Sequence, residues 1–161
     1  MRERGCGSKK RGGARNPLHR QGLMRLGAAT TTKGRTLVHQ GHALIIEDEL
    51  LVGLDLQSML AAMGFTSFAF AATAEQAKEQ ARLKTPDLIT ADLGLMSGDG
   101  VTAVMSIIED GFRPSVVFVS GDRTGLERLR GWARVEKPIT PTALSQAVDQ
   151  AMVRGEAEAL G

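Results

Sequence analysis

Short apolar runs alternate with amphipathic stretches along most of this chain, and the alternation predicts its secondary structure. An apolar run of four to six residues between turn residues is typical of a buried parallel strand, whereas apolar residues at every third or fourth position predict a helix. The predicted strands are 43–46, 66–71, 88–91, 115–119 and about 132–136. The predicted helices are about 50–63, 74–83, 100–110, about 124–130 and 140–153.

Residues with known preferences for helix ends support these boundaries. Thr73 and Gln76 have the spacing of a capping box, and Asp99 is a candidate N-cap. Gly64 and Gly111 follow two of the helices at the position where a left-handed residue ends a helix. The leucine-rich helix before Gly64 is apolar on most sides, so we predict that it is largely buried.

The regular alternation of strands and helices predicts an α/β fold. Right-handed crossovers between successive strands give a doubly wound, five-stranded parallel sheet with helices on both faces. Only sixteen residues separate Ser120 from Lys137. After the fifth strand is placed among them, about two turns remain for the fourth helix, which is therefore predicted to be short.

Charge divides the chain into two parts. Residues 1–42 contain ten Lys or Arg residues and one acid, whereas residues 43–161 contain ten basic and seventeen acidic residues. The first part has no aromatic residue and no apolar period, so we predict a disordered basic leader over 1–42. It is either a solvated tail or an extension from a misassigned start, with Met24 as an internal start. One domain is predicted over 43–154 and a frayed tail over 155–161.

Composition narrows the class of protein further. The single cysteine, Cys6, excludes an internal disulfide framework and is compatible with a reducing cytosol. No run of 18 apolar residues is present, so no membrane-spanning helix is predicted, and the leader lacks the apolar run of a secretory signal. We therefore predict a cytoplasmic protein. The basic leader could attract nucleic acid by charge, but it supplies no base-reading or stacking residues, so nucleic acid is not an expected partner.

Polar residues follow four of the predicted strands at the point where each strand ends. Glu47 and Asp48 follow the first strand, Asp92 the third, Ser120 the fourth and Lys137 the fifth. The carboxyl ends of parallel strands share one edge of the sheet, which is where α/β folds bind ligands. Neighbouring strand ends lie about 5 Å apart. Three carboxylates at that separation repel one another unless a cation lies among them.

These groups together predict a site for Mg²⁺ and a phosphoryl group. Mg²⁺ takes oxygen ligands and acts together with phosphate, and no His or Cys pair offers a zinc site because all three histidines lie in residues 1–42. The carboxylate of Asp92 is a competent nucleophile for phosphorus. Lys137 can pair with a phosphoryl oxygen, and the Ser120 hydroxyl can donate a hydrogen bond to one. Phosphoryl transfer needs mostly this positioning and charge neutralisation.

The set resembles the receiver domains of two-component response regulators over about residues 43–153. The matching residues are Glu47-Asp48, Asp92, Asp99-Gly100, Ser120 and Lys137-Pro138. The resemblance implies a flavodoxin-like sheet with the strand order 2-1-3-4-5. It also implies that Ser120 is the switch hydroxyl and that Lys137 pairs with the phosphate.

The same resemblance implies the acceptor and the metal ligands. Asp92 is implied to be the phospho-acceptor and to contribute to the Mg²⁺ site. Asp48 is implied to bind Mg²⁺ directly and Glu47 to bind it through water. The backbone carbonyl of Gly94 is implied to be a further ligand.

Several positions depart from the family pattern. Arg134 stands where an aromatic residue usually changes rotamer, three residues before the lysine, and Trp132 is not assigned that role. Met96 replaces the usual proline four residues after the acceptor. Segment 117–122 resembles a divergent form of the motif in a group of single-domain receivers from alphaproteobacteria, which also have a short fourth helix. The resemblance is therefore least informative about residue roles on the face formed by helix 4, strand 5 and helix 5.

The leading hypothesis is a stand-alone receiver that a histidine kinase or histidine phosphotransfer protein phosphorylates on Asp92. Its output passes to an unknown downstream protein, or it acts as a phosphate sink in a relay. Such a protein is not an enzyme, except that it assists its own phosphotransfer and dephosphorylation. A homodimer is left open, and no membrane partner is expected.

Three alternatives stay open at this point. A phosphorylation-independent interaction module of receiver fold is the first, and Arg134 and Met96 favour it. A nucleic-acid binder that works through the leader is the second. A hydrolase is least favoured, because phosphatases of similar fold place a second Asp two residues after the nucleophile, where this chain has Gly94.

Overall fold

A computed structural model describes residues 41–159, with side chains described as far as Gly155. Residues 1–40 and 160–161 lie outside the described part, so the predicted leader stays a prediction over 1–40, whereas His42, predicted as its last residue, is the first residue of a strand. None of the helices between residues 41 and 159 combines the length and apolar character needed to cross a membrane.

Five strands alternate with five helices along the described residues. The strands are β1 (His42–Ile46), β2 (Ser67–Ala71), β3 (Leu88–Asp92), β4 (Ser115–Ser120) and β5 (Ala133–Glu136). The helices are α1 (Leu50–Ala62), α2 (Ala74–Leu83), α3 (Gly100–Glu109), α4 (Arg123–Arg128) and α5 (Pro141–Ala159). The short fourth helix is confirmed, at six residues.

The strands form one parallel sheet in the order β2-β1-β3-β4-β5. This is the flavodoxin-like order 2-1-3-4-5, so the predicted fold is confirmed. The register pairs Ile46 with Ala91 and Asp92 with Val119, which aligns the carboxyl ends of β1, β3 and β4. Side chains that follow these ends therefore meet at one edge of the sheet.

Helices cover both faces of the sheet, and each face has its own apolar core. α1 and α5 pack on one face, where Leu56 and Leu144 are buried together with alternate strand residues. α2, α3 and α4 pack on the other face, where Ala77, Ile107 and Leu126 are buried. Strand residues alternate between the two cores because side chains of a strand point to opposite faces in turn.

The prediction that α1 is largely buried was wrong. Leu50 and Leu51 are 70% and 71% exposed, and Leu54 is 44% exposed, although Leu56 and Leu60 are fully buried. Only the stripe of a helix that faces the sheet is buried, and leucines at every turn angle cannot all lie on that stripe. The apolar content of α1 therefore gave no information on which of its leucines face solvent.

Several ends of strands and helices also differ from the predictions. β3 and β4 include Asp92 and Ser120 as their last residues, so both side chains are held by the sheet rather than by the loops that follow. α5 begins after Thr140, whose hydroxyl accepts the Ala143 N–H at 3.2 Å as predicted for an N-cap. The predicted end of this helix near Val153 was wrong, because α5 continues to Ala159. The Ala and Glu residues beyond Gly155 are good helix formers; fraying of this tail stays a prediction.

Candidate functional site

Three carboxylates meet at the carboxyl edge of the sheet, as predicted. Carboxylate oxygens of Glu47, Asp48 and Asp92 all lie within 4.8 Å of one another. Glu47 follows β1 directly and Asp92 ends β3, the neighbouring strand. Glu47 is 6% exposed and Asp92 is 7% exposed, whereas Asp48 is half-buried. The cluster therefore concentrates negative charge at a largely buried point of the sheet edge.

Lys137 reaches into this cluster from the end of β5. Its ammonium nitrogen Nζ lies 2.7 Å from Oδ2 of Asp92 and 2.9 Å from Oε2 of Glu47. The backbone N–H of Lys137 donates to the Ser120 carbonyl at 2.9 Å, which continues the β4–β5 pairing up to the lysine. The Lys137–Pro138 peptide bond is cis. One ammonium group thus partners two of the three carboxylates.

The pKa values of Glu47 and Lys137 are both raised, but for different reasons. Burial raises the pKa of Glu47, and the hydrogen bond from Lys137 offsets only part of this effect. Burial alone would lower the pKa of Lys137, but its hydrogen bonds to Asp92 and Glu47 outweigh burial and raise that pKa. The lysine therefore stays cationic, which suits a group that pairs with anionic oxygens.

Asp48 is held differently from the other two acids. Its Oδ2 accepts the backbone N–H of Met96 at 2.7 Å, and it has no ion pair among the described residues. The Met96 side chain is 94% exposed, so the contribution of this residue is its backbone. A proline, the residue usual at this position in the family pattern, has no N–H and could not make this bond. The sequence shows that Met96 replaces the usual proline, and the structure shows that this replacement allows the hydrogen bond to Asp48.

The backbone around Asp92 is held from two directions. Oδ1 of Asp92 accepts the Gly94 N–H at 3.1 Å, which leaves Oδ2 to Lys137. Gly100, the first residue of α3, packs directly on the Asp92 backbone: a Cβ atom built on it would lie 2.9 Å from the Asp92 carbonyl carbon and closer still to the carbonyl oxygen. The metal-ligand role implied for the Gly94 carbonyl stays a prediction.

Ser120 lies at the same edge of the sheet, one residue beyond the Val119 that pairs with Asp92. It is 3% exposed, and its Oγ accepts the Asp122 N–H at 3.0 Å. A hydroxyl that accepts one hydrogen bond still has its own proton to donate. Ser120 can therefore donate to an anionic oxygen placed at this edge.

The position of the usual switch aromatic has a different structural role in this chain. Arg134 is exposed on β5, and its guanidinium donates to the Leu129 carbonyl at 3.3 Å. The nearby aromatic, Trp132, is half-buried and packs edge-to-face on Phe118, with ring centroids 5.7 Å apart. The aromatic contact is thus made inside the core, away from the strand end.

The donor set fits a hard divalent cation. Glu47, Asp48 and Asp92 offer only carboxylate oxygens, and a single ammonium, that of Lys137, leaves an excess of negative charge among them. Mg²⁺ prefers oxygen ligands and is commonly held by one or two carboxylates together with water and phosphate oxygens. A bound Mg²⁺ ion would neutralise negative charge on a phosphoryl group.

Comparison with known proteins agrees with this geometry. Residues 43–149 match the family of response regulator receiver domains. The transcriptional regulatory protein PdtaR of Mycobacterium tuberculosis (strain H37Rv) is 33% identical over 115 residues, which cover 69% of this chain and 56% of PdtaR. The phyllosphere-induced regulator PhyR of Methylorubrum extorquens is 34% identical over 115 residues, which cover 68% of this chain and 42% of PhyR. The chain spans about half the length of these curated relatives.

Solved structures of receiver proteins have the same fold. The response regulator PhyR from Brucella abortus is 27% identical with a TM-score of 0.68, and the match covers 78% of this chain and 53% of that one. The receiver domain of PhyR from Erythrobacter litoralis is 28% identical with a TM-score of 0.63, covering 71% and 91%. Because the family match spans most of the sequence and the sheet order agrees, the chain belongs to the response regulator receiver domain family.

Proposed function

We propose that this protein accepts a phosphoryl group on Asp92 in a Mg²⁺-dependent reaction, with a histidine kinase or histidine phosphotransfer protein as donor. The observation that carries the proposal is the contact of the Lys137 ammonium with the Asp92 carboxylate inside the acidic cluster. The three carboxylates and the ammonium lie close enough together to supply the proposed nucleophile, the proposed Mg²⁺ ligands and a cation for phosphoryl oxygens. A solvated loop of acidic residues would not need a partly buried lysine.

The proposed transfer uses the two oxygens of Asp92 differently. Oδ1 is oriented by the Gly94 N–H, and Oδ2 pairs with Lys137. A carboxylate oxygen attacks phosphorus, the bond from phosphorus to the donor histidine nitrogen breaks, and the electron pair stays on that nitrogen. Lys137 then pairs with a phosphoryl oxygen, and Ser120 donates its hydroxyl hydrogen to another. The chain acts on its own carboxylate and on no separate substrate, so we do not propose an enzyme.

The proposed output is a shift in a pre-existing equilibrium of the protein. Ser120 ends β4 and Lys137 directly follows β5, so their movement towards a phosphoryl group alters the face formed by α4, β5 and α5. A downstream protein would read this face in the cytoplasm, or the chain would act as a phosphate sink. The exposed Leu50, Leu51 and Leu54 begin α1 next to the acidic pair and offer apolar contact to a protein donor.

Intact-mass spectrometry after incubation with acetyl phosphate and Mg²⁺ tests the proposal directly. We expect a single phosphoryl adduct on the wild-type chain, none without Mg²⁺, and none on Asp92→Asn. Asp99→Asn is the matched control, because Asp99 lies in the loop that follows Asp92 and caps α3 through the Val101 N–H, a role that Asn also fills. An adduct that persists on Asp92→Asn would contradict the assignment of the acceptor.

A second candidate is an interaction module of receiver fold that works without phosphorylation. Arg134 favours it, since this exposed side chain bonds the Leu129 carbonyl at the position of the usual switch aromatic. Beryllofluoride, a phosphoryl mimic on carboxylates, separates the two candidates. Amide NMR shifts that extend from Asp92 to α4 and β5 would support phosphorylation-dependent signalling. Shifts confined to the pocket residues would support the second candidate.

A further inference from the structure

A cavity of about 460 Å³ opens at the edge of the sheet opposite to the acidic cluster. It lies between the first residues of β4 and β5 and the C-terminal half of α5, and Ser115, Ala133 and Gly155 are part of its wall. The other ends of β4 and β5 lead to Ser120 and Lys137, so the cavity and the acidic cluster are separated by the length of the strands. Its volume falls within the range of about 300–1,000 Å³ that is typical of small-molecule sites.

The charged side chains that the structure describes in the wall of this cavity are cationic. Arg130 and Arg154 line it, and no carboxylate among the described residues does so. Neither arginine has an ion pair with a described residue. The Arg154 guanidinium lies over Gly131, where a Cβ atom would be 3.8 Å from its Nη1. Two guanidinium groups in the wall of one concave space favour an anion, because their planar donors match carboxylate and phosphate oxygens.

A nearly buried hydroxyl also lines this cavity. Ser115 is 7% exposed, and it is part of the cavity wall. A Cβ atom built on Gly155 would lie 2.9 Å from the Ser115 Oγ, so the glycine leaves this hydroxyl open to the cavity. A hydroxyl in this position can donate a hydrogen bond to a ligand that has an acceptor atom.

The remaining wall is apolar. Trp132, Ala133 and Ala151 line the cavity, and Trp132 is half-buried with its ring against Phe118. The indole of Trp132 gives this wall apolar surface for a ring or chain of the ligand. Small-molecule sites combine such apolar walls with a few polar groups that orient the ligand.

We propose that this cavity binds a small organic anion, with its phosphate or carboxylate group between Arg130 and Arg154 and its apolar body against Trp132. The Ser115 hydroxyl donates a hydrogen bond to the same anionic group. The site is separate from the proposed phosphorylation site and does not depend on it.

Trp132 makes the proposal directly testable, because the chain has one tryptophan and no tyrosine. Phenyl phosphate and benzoate are titrated into the full chain in EDTA, with benzyl alcohol as the neutral probe. Tryptophan fluorescence and titration calorimetry are recorded together, so that binding without a fluorescence change is also detected. We expect both anions to bind saturably and benzyl alcohol to bind at least about tenfold more weakly.

Variants then assign the binding to the cavity. Arg130→Gln and Arg154→Gln should each weaken phenyl phosphate binding about tenfold, and Ser115→Ala should weaken it by a smaller factor. Arg128→Gln is the matched control: this exposed arginine ends α4, does not line the cavity and loses the same charge. Circular dichroism verifies that each variant is folded. Absence of saturable binding in both measurements, equal binding of benzyl alcohol, or equal loss in Arg128→Gln would overturn the proposal.

Discussion

Lys137 and Asp92 form an ion pair of 2.7 Å between the ends of β5 and β3, two strands that are not neighbours in the sheet. The same ammonium also partners Glu47, so it stabilises two nearly buried carboxylates at once. Removing one partner of a buried ion pair is costly because the other charge stays buried without compensation. Lys137 therefore contributes to stability as well as to the proposed chemistry.

Lys137→Met should lower the free energy of unfolding by roughly 3 kcal/mol in EDTA. Mg²⁺ should then raise the unfolding midpoint of the variant more than that of the wild type, because the ion replaces the missing positive charge and stabilises the state that binds it. Urea unfolding with and without Mg²⁺ measures both effects. Lys78→Met is the control, since Lys78 pairs with Asp110 on the surface and should show no Mg²⁺ dependence of its own. Equal Mg²⁺ effects on Lys137→Met and the wild type would contradict the prediction.

Met96→Pro should increase the affinity for Mg²⁺. The Met96 N–H occupies Oδ2 of Asp48, and a proline would free that oxygen for the ion. Met96→Ala retains the N–H and removes only an exposed side chain, so its affinity should equal that of the wild type. The measurement is the Mg²⁺ dependence of the thermal midpoint or a calorimetric titration. If Met96→Ala and Met96→Pro change the affinity equally, the side chain or the loop matters and the hydrogen bond does not.

The convergence of Glu47, Asp48, Asp92 and Lys137 could be predicted because the carboxyl ends of parallel strands share an edge whatever the loops do. The sharing of Lys137 between Asp92 and Glu47 could not, since it depends on side-chain positions within a few tenths of an ångström. A contact made by a backbone atom, such as the Met96 N–H, cannot be predicted from residue type, because almost every residue has that group.

Two further features were beyond sequence reasoning for different reasons. The exposure of Leu50 and Leu51 depends on the rotation of α1 about its axis, and a helix that is apolar on most sides gives no period to define it. The resemblance matched Gly100 as part of a motif, but its packing on the Asp92 backbone appears only when α3 is placed against β3.

Gly100→Ala should destabilise the protein and slow phosphorylation of Asp92. The new Cβ atom would meet the Asp92 carbonyl group and lie 3.4 Å from the Ala91 Cβ, so the backbone at the acceptor must move. Overpacking of this kind typically costs about 1–3 kcal/mol. Urea unfolding and the rate of adduct formation with acetyl phosphate measure the two effects. Gly121→Ala is the control for stability, because a Cβ atom there meets nothing within 4 Å; comparable destabilisation by both variants would contradict the steric explanation.

Thr90→Val should stabilise the protein by about 1 kcal/mol. Thr90 is fully buried in the middle of β3, and its Oγ1 has no hydrogen-bond partner in the described part of the chain. Valine has nearly the same shape, favours strands and removes the unsatisfied hydroxyl. Thr73→Val makes a useful contrast, because the Thr73 hydroxyl caps α2 through the Gln76 N–H and its loss should destabilise by about 1 kcal/mol. Thermal unfolding that shows the same sign for both variants would contradict this assignment of the two hydroxyls.

His42 should make the protein less stable as the pH falls below about 6.5. It is 5% exposed, its Nε2 is buried without a partner among the described residues, and its Nδ1 lies 2.9 Å from the Ser67 Oγ. Burial lowers the pKa of His42, the positive charge of Lys84 lowers it further, and Ser67 and Asp87 oppose the shift only in part. The unfolded chain therefore binds a proton near pH 6.5 while the folded chain does not, so protons favour unfolding.

His42→Gln removes this titration and retains a side chain that can hydrogen-bond Ser67. The urea midpoint of His42→Gln should change less than that of the wild type between pH 7.5 and pH 5.5. The wild type loses stability in this range because the pH falls below the unfolded-state pKa of His42 towards its lowered folded-state pKa. Lys84→Met should also flatten the wild-type pH dependence, because removing that charge brings the folded-state pKa of His42 closer to its ordinary value. His19 and His39 are unchanged in all three proteins and cancel in the comparison. Parallel pH profiles for the wild type and His42→Gln would show that the buried imidazole does not control acid stability.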